Sequence, residues 1–269
     1  MNLYNQLESF NSHIQQEGWR MDVRMEANST ILKNGLKYME DNQDLLLAIC
    51  LNNGYYKREN IYRMLKFALN LSKRVQIFTT DGPAKHNYLA LGKSEVEAIR
   101  ETRLNKNRLQ NLCAIGLERI NATLPENARY TLTYMKWEDI YIDKAYLDSY
   151  AQIKELYANS AEFKKDIQET SRQVLLNRIG IQSQVESVLS VGIEYIFEEL
   201  AFILSYSSLG AGTKPISDHG KNGFNYIYYE SWPVFEKLVN GEYDNQPKEE
   251  IGFVIAKIVD DQGAISAVL

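Results

Sequence analysis

Cysteine, proline and histidine are all scarce in this chain of 269 residues, which holds 2, 5 and 3 of them respectively. Two cysteines cannot build a disulfide scaffold. With a polar stretch over residues 1–17 that has no secretory pattern, they point to a reducing, cytoplasmic setting. His13, His86 and His219 form no close group with cysteine or aspartate, so no metal and no cofactor is expected. Apolar runs of membrane-spanning length are missing too, the longest being 45–51 and the interrupted 200–204, so no membrane partner is expected. Positive charge is not in surplus. Thirty Lys and Arg against 35 Asp and Glu leave a net charge of -5, which argues against a general nucleic-acid binder. No Pro-, Gly- or Ser-rich linker divides the chain, and one domain over residues 1–269 is expected.

What is present is an alternation of strand and helix signals. The apolar run Leu45-Leu46-Leu47-Ala48-Ile49-Cys50-Leu51 stops at Asn52-Asn53-Gly54 and reads as a buried parallel strand running into a turn. Residues 59–71 then place Ile61, Met64, Leu65, Ala68 and Leu71 on one helical face. Val75-Gln76-Ile77-Phe78-Thr79-Thr80 is a second strand, with a turn at Asp81-Gly82-Pro83, and the three pieces make a right-handed βαβ unit. A long polar helix follows over 93–120, capped by Ser94 with Glu95 and Glu97 in its first turn. A strand at 130–135 comes next, then helices over 139–158, 161–178 and 185–206, a late strand at 224–229 and a helix at 232–238 opened by Pro233. This order predicts an α/β fold, a parallel sheet flanked by helices on both faces. Residues 1–44 and those after 241 carry no informative pattern.

Ligands bind beyond the carboxyl ends of such strands, and Cys50 stands at one of those ends. Period-two alternation sends Leu46, Ala48 and Cys50 to one face, an apolar wall next to a thiol to which Phe78 could contribute. A free cysteine is equally at home as a small core side chain, and that alternative stays open on position alone. Cys113, among Leu109, Leu112 and Leu117, reads as the protected thiol. His86, Trp19, Trp137 and Trp232 are read as loop and packing residues without a role in chemistry. Net charge also conceals a local basic stretch. Residues 100–108 hold Arg100, Arg103, Lys106 and Arg108 against Glu101, and helical spacing gathers Arg100, Arg103 and Lys106 into a ridge, with Arg108 one step round.

Three segments resemble those of one family, the cyclodipeptide synthases. Ala48-Ile49-Cys50-Leu51-Asn52-Asn53-Gly54-Tyr55-Tyr56 is similar to the strand-to-turn motif that carries the family's nucleophile; Asn53 and the aromatic pair Tyr55-Tyr56 match, while Ala48 replaces a glycine and Cys50 the nucleophilic serine. Tyr195-Ile196-Phe197-Glu198-Glu199 resembles the family's Tyr-x-x-x-Glu on a helix. Tyr228, followed by Trp232-Pro233, resembles the late segment with a further active-site tyrosine. The segment 87–92 and the basic helix after it also match in order.

The resemblance implies a Rossmann-like fold similar to the catalytic domain of class I aminoacyl-tRNA synthetases. It also implies an enzyme that joins the aminoacyl groups of two aminoacyl-tRNAs into a cyclic dipeptide. Cys50, Tyr195, Glu199 and Tyr228 would be catalytic, Asn53, Tyr55, Leu46, Ala48 and Phe78 would bind substrate, and Arg100, Arg103, Lys106 and Arg108 would contact tRNA. The His-Ile-Gly-His and Lys-Met-Ser-Lys-Ser patterns of adenylating synthetases are absent, in keeping with a reaction that needs no ATP. Two other functions compete: a thiol acyltransferase or hydrolase, which would want a histidine base, and a non-catalytic RNA- or nucleotide-binding module with an inert Cys50. A monomer is the expected state.

Overall fold

The computed structural model describes residues 3–25, 44–51, 53–72, 74–179, 182–205, 224–228, 232–243 and 251–260. Its centre is a six-stranded sheet in the order β1-β6-β5-β2-β3-β4. The strands are β1 (Trp19–Met25), β2 (Asp44–Ile49), β3 (Arg74–Thr79), β4 (Leu132–Tyr134), β5 (Phe224–Tyr228) and β6 (Ile251–Asp260). Neighbours run parallel except at the β1 edge, where Trp19 to Met25 pair antiparallel with Asp260 to Val254. From β2 the chain builds outward through β3 and β4, then returns to lay β5 and β6 on the other side. The direction of winding therefore reverses between β2 and β5, the kind of switch point beyond whose strand ends open α/β sheets bind ligands. Ile49 ends one and Tyr228 the other.

Helices cover the centre of the sheet because β2 is apolar on both sides: Leu45 to Ile49 are all at most 4% exposed. The helices are α1 (Leu3–Ile14), α2 (Arg58–Leu71), α3 (Asp81–Ala90), α4 (Glu95–Asn121), α5 (Trp137–Ile140), α6 (Lys144–Asn159), α7 (Ala161–Ile179), α8 (Gln182–Val185), α9 (Leu189–Ser205) and α10 (Pro233–Asn240). In α2 the expected stripe is the buried one, with Ile61, Met64, Leu65 and Ala68 fully enclosed. Ser94 caps α4 as read from sequence, its side chain and that of Glu97 exchanging bonds in a capping box. The central helix is α9, which packs on α3, α6 and α7 and is buried at every position from Tyr195 to Ser205. Among the described residues no helix is long and apolar enough to cross a membrane.

Several elements depart from the sequence reading: the helix expected over 139–158 is interrupted after Ile140 into α5 and α6, and that expected over 185–206 is preceded by α8 and starts as α9 only at Leu189. The stretch Asp81-Gly82-Pro83 opens α3 rather than a turn; Pro83 lies in the first helical turn, where its missing N–H leaves no bond unmade. Gly82 is required there, because a Cβ would come within 2.3 Å of the Trp137 ring. The segments that carried no pattern supply α1, β1 and β6. β1 alternates after all, with Trp19 and Met21 each 1% exposed.

Candidate active site

Cys50 follows directly on β2, and the last residue of β5 meets it there: the Tyr228 hydroxyl donates to the Cys50 sulfur at 2.8 Å. The Tyr195 hydroxyl on α9 lies 3.9 Å from the same sulfur. Three elements far apart in the chain thus converge on one thiol. A phenol donor such as Tyr228 favours a charged or partly charged sulfur over a neutral one, which is what a nucleophile needs. The thiol is enclosed, with Cys50 3% exposed.

The apolar wall is also assembled. Ala48 stands opposite Phe78 in the β2–β3 register, and Leu46, Ala48 and Phe78 are fully buried. Phe78 stacks on Phe202 of α9 with ring centroids 3.9 Å apart, so α9 covers the face of β2 that carries Cys50. That fixes the facing of Glu199. Tyr195 touches the sulfur and Phe202 touches Phe78; Glu199, four residues after one and three before the other, lies on the same stripe of the helix. Glu199 is buried there, 5% exposed.

The turn after Cys50 is held by its own side chains. Asn53 Oδ1 accepts from the Tyr55 N–H at 2.9 Å and the Asn53 carbonyl from the Tyr56 N–H at 3.1 Å. Tyr55, expected at the substrate, instead braces the frame: its hydroxyl accepts from the Ile258 N–H at 3.1 Å and reaches Met64 Sδ at 4.0 Å. Burial pushes that phenol up to about 12. Tyr56 donates to the Ala48 carbonyl at 2.9 Å and its ring lies 6.3 Å from that of Tyr228, so it is the second aromatic that backs the site.

The basic ridge divides. Arg100 is 66% exposed and Arg103 and Arg108 are exposed as well, open to a partner. Lys106 is turned inward. Its ammonium pairs with Asp81 at 2.8 Å, each side chain at most 15% exposed, and Asp81 also accepts from the Thr79 hydroxyl at 2.6 Å. Burial nonetheless raises the Asp81 carboxyl above the usual carboxylate range. Lys106 therefore tethers α4 to the end of β3, a role the ridge reading misses.

His86 is not a loop residue. It lies within α3 and its Nε2 sits 2.9 Å from Glu198 Oε1. Glu198 also takes the Lys85 ammonium at 3.2 Å and a bond from the Tyr141 hydroxyl at 2.5 Å. Burial would raise this carboxyl, but bonds from His86 and Tyr141 and the nearby positive charges outweigh it and hold it below the usual range. The His86 imidazole is thus engaged by Glu198, while His219, the other histidine that a thiol hydrolase could use as its base, lies outside the described residues. Among the described residues no group of His, Cys, Asp and Glu could hold a metal ion.

The family model described as cyclodipeptide synthase matches residues 33–258. The chain is 20% identical over 232 residues to the cyclo(L-leucyl-L-leucyl) synthase of Bacillus subtilis (strain 168), covering 84% of this chain and 87% of that protein. Its structure resembles that of a cyclodipeptide synthase from Bacillus thermoamylovorans, with a TM-score of 0.70 and 19% identity over 92% of this chain and all of that one (100%). A Mycobacterium tuberculosis protein, whose structure is described as demonstrating that cyclodipeptide synthetases are related to type I tRNA synthetases, superposes with a TM-score of 0.63 and 18% identity, over 89% of this chain and 93% of that one.

Proposed function

This chain belongs to the cyclodipeptide synthase family, and from that premise we propose that it works through a covalent aminoacyl group on Cys50, drawn from aminoacyl-tRNA without ATP. An ester to a ribose hydroxyl is already activated for acyl transfer. The Cys50 sulfur attacks the ester carbonyl, a C–S bond forms as the C–O bond breaks, and the ribose oxygen leaves with the thiol's proton. The amine of a second aminoacyl-tRNA then attacks the thioester. A peptide bond replaces the C–S bond and the thiol is restored. Ring closure by the remaining amine on the remaining ester releases the cyclic dipeptide and the second tRNA.

In this reaction Glu199 holds the ammonium of the first aminoacyl group and later takes a proton from an attacking amine. Tyr228 and Tyr195 hold the sulfur as it gains and loses charge. Leu46, Ala48 and Phe78 form the apolar floor beside it. Arg100, Arg103 and Arg108 face the tRNA backbone. The observation that carries this reading is the convergence of Tyr228 and Tyr195 on Cys50, with Glu199 on the same stripe of α9. Incubating the protein with a mixture of charged tRNAs and searching the products for diketopiperazines by mass spectrometry tests it. A defined cyclic dipeptide that disappears with Cys50→Ala is the expected result, and product from Cys50→Ala would remove the covalent route.

A further inference from the structure

Helix α9 sets two glutamates side by side, Glu198 and Glu199, and only one of them can face the thiol. Neighbouring helical residues point about 100° apart, so turning the helix by one residue, with a slide of about 1.5 Å, would exchange them. Apolar packing does little to prevent this. Ile196, Phe197, Leu200, Ala201, Phe202, Ile203 and Leu204 are each at most 3% exposed, and they surround the helix on all sides. A helix that is apolar all round has no amphipathic stripe to define its rotation. Directional bonds have to define it instead. Ser205 bonds within its own helix, to the Phe202 carbonyl, and contributes nothing to this.

Glu194 takes the Tyr150 hydroxyl near the start of the helix and Tyr195 reaches the Cys50 sulfur at 3.9 Å, but the most heavily bonded side chain is that of Glu198. Its two oxygens receive His86 at 2.9 Å, Lys85 at 3.2 Å and Tyr141 at 2.5 Å. His86 and Lys85 belong to α3, which starts where β3 ends, and Tyr141 follows α5, which starts after β4. Lys85 lies over the Tyr141 ring at 4.9 Å, which closes the group. The donors therefore stand at the carboxyl ends of β3 and β4, on one side of β2, and they fix α9 against the same sheet edge that presents Cys50. Buried ion pairs are poor sources of net stability, but they can select one arrangement over a close competitor.

We infer that Glu198 is a positioning residue: through Lys85, His86 and Tyr141 it sets the rotation of α9 so that Glu199, and not Glu198, meets the amino group of the aminoacyl substrate. This rests on the assignment of Glu199 as the amine's ligand. In chemical terms Glu198 is the carboxylate that takes the protein's own Lys85 and His86, and Glu199 is the one assigned to the substrate's amine.

The test measures three quantities on the full-length protein: the rate of Cys50 aminoacylation at saturating aminoacyl-tRNA by intact mass, the rate of Cys50 alkylation by a small reagent, and the melting temperature. Glu198→Ala should slow aminoacylation about tenfold or more, the scale of a small misplacement of reacting groups, while alkylation stays within about twofold of wild type. Glu198→Gln should recover most of the aminoacylation rate, because its amide still accepts from His86 and Lys85 and can meet the Tyr141 hydroxyl. Should Glu198→Ala fold poorly, Glu198→Leu combined with Lys85→Met fills the space without charge and should show the same slow aminoacylation in a stable protein. Wild-type aminoacylation in Glu198→Ala or in the Leu/Met pair overturns the inference, as does a Gln variant as slow as Ala. Glu199→Gln separates the two levels. If it acylates Cys50 at the wild-type rate the site assignment itself fails, and if it is slow while Glu198→Ala is not, only the positioning role fails.

Discussion

Tyr228 and Cys50 lie 178 positions apart in sequence, yet the phenol of one donates to the sulfur of the other at 2.8 Å. The sheet topology brings them together: β2 and β5 are neighbours at the point where the winding reverses, and each residue stands at the carboxyl end of its strand. Tyr228→Phe keeps the ring and removes the donor. It should slow acylation of Cys50 by roughly ten- to hundredfold, the worth of one hydrogen bond to a charged group, and leave the melting temperature within a few degrees. A single-turnover rate equal to wild type would show that the phenol does not assist the thiol.

The two thiols should differ in reactivity. Cys113 is fully buried and burial pushes it up to about 12, so it stays protonated at ordinary pH. Cys50 accepts from the Tyr228 phenol, lies 3.9 Å from that of Tyr195, and follows the carboxyl end of β2. Brief alkylation near pH ~8 followed by peptide mapping should label Cys50 first. Label on Cys113 with Cys50 untouched would contradict the assignment.

Charges on α4 should separate into two kinds. Arg100→Glu with Arg103→Glu, both exposed, should leave stability within about 0.5 kcal/mol and flatten the salt dependence of tRNA binding by roughly 0.7 to 0.9 in log-log slope for each phosphate no longer neutralised. Lys106→Ala should do the reverse. It strands the Asp81 carboxylate and should cost roughly 2–3 kcal/mol of stability, less than for a fully enclosed pair because the lysine is partly exposed. Denaturant melts and salt titrations of tRNA affinity on both variants check this, and an unchanged salt slope in the arginine pair would place the RNA elsewhere.

Acid should act through Glu198. Its folded carboxyl lies below the usual range, so the stability it contributes is fully present above its unfolded value of 4.5 and is lost as pH falls through the folded value. The groups facing it are Lys85, His86 and Tyr141. The stability gap between wild type and Glu198→Gln should therefore be widest near neutral pH and close as pH drops below about 4. Urea melts at a series of pH values measure it, and a gap that stays constant down to pH ~3 would mean the carboxylate is not held in its charged form.

The members of the candidate site that meet at Cys50 could be picked out in the chain because they carry local signals. Cys50 ends an apolar run at a turn, Tyr195 and Glu199 are one helical turn apart, and Tyr228 closes a late strand before Pro233. Glu198 was not legible, since nothing in the chain near residue 198 announces Lys85, His86 and Tyr141; their meeting is a product of helix packing. Lys106 misled for the same reason. Periodicity places it beside Arg103, but a buried carboxylate from another helix captures it. Tyr55 matched a substrate-site motif, while its hydroxyl bonds to β6, a strand in a segment that carried no readable pattern. The α3 helix was hidden by Gly82-Pro83, which reads as a turn until Trp137 packs over the glycine.

Direct detection of the acylated thiol is the decisive measurement. The protein is mixed with a single charged tRNA under conditions that trap one turnover, and intact and peptide masses are recorded. A mass increase of one aminoacyl residue on the peptide bearing Cys50, sensitive to hydroxylamine, absent in Cys50→Ala and restored in Cys50→Ser as the corresponding ester, is what a nucleophilic Cys50 requires. Cyclic dipeptide formed at the wild-type rate by Cys50→Ala, with no adduct on the wild-type thiol, would contradict it.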